Sequence, residues 1–393
     1  MRRMEVRLMD ARIKSFDVSD LQIPKQRRSE QARRTNARVT EVCERLRSLA
    51  SELGPGNRLP TIRELCSRLN TSSATLTTAL DLLENEQLFY RKERQGIFVS
   101  DLLLKRSVHI VFNNSLIANN AASPFWSLLC GRLALVAEQR AKSKNEHISF
   151  HFLWRDMPQP IPDEHIALLN SPSVDGSLII GFNAHSFEHV SLLSKPHVVF
   201  AGGGDWMVQY DEATSARLAA DVLVRKNCQR IGYWSAKEED PTSPFDQAHY
   251  FYQALQQQHF PVDRAQFRAI SGMSTPMRRP LTSQERGYLL VKDVFGSAQE
   301  ERPDGIYISD DLVTDGALVA FDELGIHVGQ DVHLVSLANT DSPILFGRTQ
   351  NITLLEQDSE ELVRGMFSLL ESLLNGMGPT QQSVYIQPHL REV

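Results

Sequence analysis

The sequence predicts two fold classes in tandem. An N-terminal winged helix-turn-helix of α+β type is followed by an α/β body with enough units for two doubly wound lobes. Three observations predict this. Residues 58–99 contain short apolar-periodic segments and then a basic hairpin that closes on Gly96-Ile97-Phe98-Val99. From Ser107 onward, short apolar runs alternate with helical patterns. Within a net charge of −6, residues 1–106 carry an excess of Lys and Arg, and the remainder an excess of Asp and Glu. At 393 residues the chain is too long for one ordinary domain.

Residues 1–35 are polar and basic, with Lys25-Gln26-Arg27-Arg28 and Arg33-Arg34, and lack a sustained apolar period. They read as a basic mobile arm. The winged helix-turn-helix is expected over 36–100. From Asn36 to Leu53, Val39, Val42, Leu46, Leu49, Ala50 and Leu53 recur at helical spacing, and Gly54-Pro55-Gly56 stops the helix. Thr61 caps a short second helix, with Glu64 as the capping-box partner and Leu65 and Leu69 as the buried face. Asn70-Thr71-Ser72 turns the chain. Ser72 or Ser73 caps a third helix that buries Leu76, Ala79, Leu80 and Leu83. Strands near Leu88–Arg91 and Ile97–Val99 flank the turn at Lys92–Gly96 and form the wing.

A recognition helix presents short polar or basic side chains to the major groove from its first turns. Ser72, Ser73, Thr75, Thr77 and Thr78 fit that face, and Arg63 on the preceding helix is placed to reach the backbone or a guanine. In the wing, Arg91, Lys92, Arg94 and Gln95, with Gly96 closing the turn, are candidates for phosphate or minor-groove contact. The bland alternative is a Ser/Thr helix cap beside a solvated basic hairpin. The order and spacing of all three parts favour DNA.

Residues 101–106 form a short linker. In the body, residues 107–393, strands are expected at 108–112, 148–154, 177–182, 197–202, 230–235, 305–309 and 332–338. Helices are expected at Trp126–Arg140, Thr214–Arg225, Gln247–Gln258 and Leu312–Leu324. Gly202-Gly203-Gly204 reads as a loop, and no glycine-rich phosphate motif opens a helix, so no cofactor is expected. Cys43, Cys66, Cys130 and Cys228 have no CxxC spacing and read as reduced, packed thiols of a cytoplasmic protein. No apolar run is long enough to span a bilayer.

Arg58-Leu59-Pro60-Thr61-Ile62-Arg63-Glu64-Leu65, Ser73-Ala74-Thr75-Leu76-Thr77-Thr78-Ala79-Leu80 and Gln95-Gly96-Ile97-Phe98-Val99 resemble the winged helix of GntR-family bacterial regulators. The resemblance implies a homodimer on a pseudo-palindromic double-stranded operator, with Arg63 as a DNA contact. Ser73 and Thr77 stand where the family usually has arginine, and Arg94 where it usually has glycine. These departures shift the expected phosphate anchoring toward the wing and arm.

Ser123-Pro124-Phe125-Trp126, Ile308-Ser309-Asp310-Asp311 with Asp315-Gly316-Ala317-Leu318, and the run from Leu324-Gly325-Ile326 to Ser336-Leu337-Ala338-Asn339 resemble the periplasmic-binding-protein-like sensor of LacI-family repressors. A GntR-type head on such a sensor resembles the arabinose-repressor type. The resemblance implies two lobes, a cleft for a sugar or sugar derivative, and dimerisation through this body.

In open α/β sheets ligands sit beyond the carboxyl ends of the strands. Those ends offer Asn113, Asn114, Asn183, Ser235, Asp310, Asp311, Ala338 and Asn339. The expected effector contacts are Asn113, Phe125, Trp126, Asn183, Gln247, Asp311, Asp315, Asn339 and Asp341, with the aromatic pair as the platform for sugar C–H bonds. The alternative for Phe125 and Trp126 is core packing. The chain has Gln247 near where the family often has an arginine, and Ala338 where it often has an aspartate.

Two other functions stand against a ligand-controlled repressor. His185-Ser186-Phe187-Glu188-His189 matches a zinc-hydrolase spacing, with Glu188 as base, but lacks an identifiable third ligand. No metal site and no enzyme are therefore expected. A constitutive dimeric DNA binder with a degenerate pocket is the other alternative.

Overall fold

The computed structural model describes the backbone of residues 25–101, 105–118, 123–144, 146–154, 161–182, 190–244, 246–269, 281–296, 302–345, 347–378 and 381–391, with side chains from Ala37 onward. The chain divides into two units, residues 1–104 and 105–393.

In the first unit, α1 (Lys25–Leu53), α2 (Ile62–Arg68) and α3 (Ser73–Asn85) precede strands β1 (Phe89–Lys92) and β2 (Gly96–Val99). Helix α1 starts well before Asn36, so residues 25–35 are helical rather than part of an irregular arm. The segment KQRRSEQARR is rich in strong helix formers and needs no apolar period to take that form. Residues 1–24 of the expected arm lie outside the described residues. Thr61 and Glu64 close a reciprocal capping box on α2, and Ser72 caps α3. Val42, Leu46, Ala50, Leu65, Leu76, Ala79, Leu80, Leu83, Phe89 and Val99 form one core beneath the three helices and the wing. The antiparallel register pairs Phe89 with Val99 and Lys92 with Gly96.

The second unit contains two six-stranded sheets. In the first lobe β3 (Arg106–Asn113), β4 (Glu146–Leu153), β5 (Gly176–Ile180), β6 (His197–Phe200), β7 (Met207–Tyr210) and β13 (Ser383–Ile386) run parallel in the order β13-β7-β6-β5-β3-β4. In the second lobe β8 (Ile231–Ser235), β9 (Phe267–Ala269), β10 (Gly305–Ile308), β11 (His333–Asn339), β12 (Ile352–Gln357) and β14 (His389–Arg391) take the order β14-β12-β11-β10-β8-β9, with only β14 antiparallel. The seven predicted strands all form.

The chain crosses between lobes three times. After β7, helix α7 (Glu212–Arg225) joins the second lobe's core through Ala216, Ala219 and Leu223. After β12, helix α11 (Ser359–Leu374) returns to pack Leu362, Val363 and Met366 on Val108 and Ile110 of the first lobe. β13 and β14 make the third crossing. Asp211 and Asp358 sit at the first two crossings and cap the helices beyond. The third is tied to the first: Gln387 Nε2 donates to Asp211 Oδ2 at 2.9 Å, and the Asp211 N–H donates to the Ile386 carbonyl at 2.9 Å.

Candidate functional site

The expected DNA-reading residues all lie on the first unit's surface, but their side chains are not equally available. Ser72 Oγ accepts the Thr75 N–H and lies 2.9 Å from the Thr75 hydroxyl, so this pair serves the helix cap. Thr78 donates its hydroxyl to the Ala74 carbonyl. Ser73, Thr77 and Arg63 are exposed. In the wing, Arg91 pairs with Asp81 and with Glu84 Oε2, the latter at 3.0 Å, while its side chain stays half-exposed. Lys92 places its ammonium 4.9 Å from the Phe98 ring centroid and 5.5 Å from that of Tyr90. Arg94 and Gln95 remain at the exposed tip. Arg94 adopts φ +58°, a left-handed conformation that glycine takes without steric cost. Gly96 has φ +117°, and a Cβ there would lie 2.7 Å from Arg58 Nε. The glycine therefore lets the Arg58 guanidinium lie across the wing.

In the second unit a cleft of about 480 Å³ opens where the strand ends of both lobes meet. The first lobe supplies Ser123, Phe125, Trp126, Phe200, Gln209 and Tyr210. Glu212, Lys237, Ser309, Asp310, Asp311, Ala338, Asn339 and Gln357 line it as well. Phe125 and Trp126 pack edge to face at 5.0 Å, with Phe200 and Tyr210 within 6.2 Å of Phe125. The two aromatic residues both join the first lobe's packing and border the cleft, so the two readings of them converge. The Tyr210 hydroxyl is buried with no hydrogen-bond partner.

Asp310 caps helix α10 (Asp311–Leu324), and its Oδ1 accepts the Val313 N–H at 3.0 Å. Asp311 is 4% exposed and accepts from Ser342 Oγ at 2.9 Å. Burial, reinforced by neighbouring Asp310, pushes the Asp311 carboxyl up to about 6. A second recess of about 470 Å³ shares Asp311, Ala338 and Asn339 with the cleft and adds Asp341, Ser342 and Glu356.

Of the expected effector contacts, Phe125, Trp126, Asp311 and Asn339 therefore meet in the cleft, and Asp341 lines the adjoining recess. Three do not line the cleft. Asn113 is fully buried; its amide donates to the Gly181 carbonyl and its oxygen accepts from Ser115. Asp315 accepts from Gln284 and Arg348. Gln247, at the start of α8 (Gln247–Gln257), accepts from the Tyr233 hydroxyl at 3.5 Å, and that hydroxyl also donates to buried Glu239, which accepts from Ser235 and the Ala248 N–H as well. Asn183 and the His185, Glu188 and His189 trio lie outside the described residues, as do Arg278 and Arg279. Among the described residues, no group of three or more His, Cys, Asp or Glu is placed to hold a metal.

Sequence reasoning missed Gln209, Tyr210, Glu212, Lys237 and Gln357. Three of them end strands β7 and β12, which carry too mixed a pattern to be read as strands. Glu212 opens the helix after the first crossing.

Residues 39–99 match the family model of bacterial regulatory proteins, gntR family, and residues 220–392 match that of the periplasmic binding protein-like domain. The chain joins a gntR-family DNA-binding domain to a periplasmic-binding-protein-like domain. The chain is similar to the HTH-type transcriptional repressor PurR of Klebsiella pneumoniae subsp. pneumoniae. They are 21% identical over 357 residues, covering 85% of this chain and 96% of that one. A regulatory protein of the LacI family from Chloroflexus aggregans superposes with a TM-score of 0.58 at 21% identity, over 72% of this chain and 96% of that one. The transcriptional regulator CelR, solved as a cellobiose complex, superposes with a TM-score of 0.54 at 15% identity, over 85% of this chain and 99% of that one. The proteins that the chain resembles are transcription regulators.

Proposed function

We propose that the protein is a dimeric cytoplasmic repressor that binds a pseudo-palindromic operator through two winged helices. A sugar-like small molecule between the lobes of the body switches it. The observation that carries this reading is the cleft at the strand ends of both lobes, with an aromatic wall and an unsatisfied Tyr210 hydroxyl. The cellobiose complex of CelR supports a carbohydrate class of ligand. In the reading head, Arg63, Ser73, Thr77, Arg94 and Gln95 face solvent and make the DNA contacts, while Ser72, Thr75, Thr78 and Gly96 hold the shapes that present them.

Closure of the lobes moves the three crossings, and the segment 101–106 passes that movement to the half-site spacing. Edge strand β4 supports dimerisation of the body: Phe152 on it and Trp154 just beyond it are 50% and 58% exposed. The test is operator binding titrated with candidate effectors, repeated after a flexible spacer is inserted at 101–106. Ligand-dependent release that the spacer abolishes supports the mechanism. Release that survives the spacer refutes rigid transmission, and tight operator binding insensitive to every ligand favours a constitutive binder.

A further inference from the structure

The charge of the cleft narrows the ligand class, on the reading that the cleft holds the effector. Among the described residues, three carboxylates, Asp310, Asp311 and Glu212, line it against one ammonium, Lys237. Lys237 does not balance them. Its side chain is 78% exposed, and its Nζ lies 3.9 Å from a fourth carboxylate, that of buried Glu239. Asp310 and Asp311 are adjacent, and among the described residues they are held by the backbone N–H groups of Val313 and Leu312, the Ser342 hydroxyl and the Asn339 side chain, with no cation. Burial raises both carboxyls. An anionic ligand would add like charge to this wall. A cation would relieve the mutual repulsion and form charge-assisted hydrogen bonds.

The opposite side of the cleft suits the same cation. Phe125, Trp126, Phe200 and Tyr210 line it as one aromatic cluster, and aromatic rings attract an ammonium group as well as sugar C–H bonds. The orphaned Tyr210 oxygen is an acceptor without a donor. We propose that the inter-lobe cleft takes an amine-bearing ligand of the amino-sugar class, with its ammonium group on the Asp310–Asp311 pair and its C–H face on Phe125 and Trp126.

The test is calorimetric titration of the full chain with matched series on two scaffolds, gluco and galacto. Each contains the neutral hexose, the 2-amino sugar, its N-acetyl derivative and the uronic acid. The amino sugar should bind about tenfold or more tighter than its neutral parent and its N-acetyl derivative, as one charge-assisted contact allows. The uronic acid should be the weakest. The preference should fall several-fold in Asp311→Asn and in Glu212→Gln, the latter altering an exposed helix start and so testing the charge should Asp311→Asn fail to fold. It should also weaken from pH 7 to pH 5 as Asp311 takes up a proton. A neutral sugar or uronic acid that binds as tightly as the amine overturns the amine proposal and leaves the ligand-controlled reading standing. No binding by any member of either series overturns both.

Discussion

Acid should destabilise the effector body through His109, by an amount that the structure sets. His109 on β3 lies in a cross-strand row with Ser149 of β4, Ser177 of β5 and, through Ser177, His197 of β6. It is 8% exposed. Its Nδ1 lies 2.8 Å from His151 Nε2, its Nε2 lies 3.3 Å from Ser107 Oγ, and the two imidazoles stack at 4.8 Å. His147 lies on the same strand as His151, and His165 of helix α6 (Asp163–Leu169) meets His151 edge-on at 6.0 Å. Burial first, then His151 and His147, hold the His109 pKa down at about 4.

The unfolded chain takes up this proton near pH 6.5 and the folded chain only near 4, so the unfolded state binds more protons between them. The contribution of neutral His109 is therefore complete above about pH 6.5 and is lost as pH falls toward 4. At about 1.4 kcal/mol per unit, the loss reaches about 2.5 kcal/mol by pH 4.5. The assay is urea unfolding of the wild type and His109→Gln, followed by tryptophan fluorescence. All four tryptophans (126, 154, 206 and 234) lie in the body, so the signal is confined to that unit. His109→Gln should be the less stable protein at neutral pH, because it loses the imidazole pair. The gap should then shrink and close by pH 4.5. A gap that stays constant across this range refutes the argument.

The other predictions concern the wing and the lobes. Arg94→Ala should weaken operator binding and flatten its log–log salt dependence by about one unit; an unchanged slope means that Arg94 touches no phosphate. Gly96→Ala, at φ +117° and 2.7 Å from Arg58 Nε, should strain the wing by about 1–3 kcal/mol and weaken DNA binding without altering effector binding. Gly287→Ala, on helix α9 (Ser283–Gly296), would place a Cβ 2.0 Å from the Val313 carbonyl oxygen of α10. It should cost the body about 3 kcal/mol or more in the same fluorescence assay. Arg132 on α5 (Pro124–Ser143) bridges to Asp341 of the other lobe at 2.7 Å, but Asp341 is 70% exposed. Arg132→Ala should therefore change stability by less than about 1 kcal/mol, and a larger loss in the unfolding assay would show a stronger bridge than its exposure allows.

What was legible in the sequence follows from what each segment packs against. Strands β8 and β10 are buried throughout, and their unbroken apolar runs, IGYWS and GIYI, announce them. Strands β7 and β12 read MVQY and ITLLEQ, and their polar ends, Gln209 and Gln357, border the cleft. The residues that make the cleft thus interrupt the pattern that would have revealed its strands. Asn113 shows the converse. A polar residue at a strand end was the right place to look, but its amide is engaged by Gly181 and Ser115, and only the folded loop shows that. Arg91 likewise reads as a free wing cation until Asp81 and Glu84, one helix away, are seen to pair with it. Charge balance is the property that sequence hides best, because it depends on which partners fold together. Asp311 was legible as a polar strand-end residue. That it stands beside Asp310, with Glu212 lining the same cleft and Lys237 drawn toward Glu239, is a fact of three dimensions, and it is what separates an amine from a neutral sugar as the expected occupant.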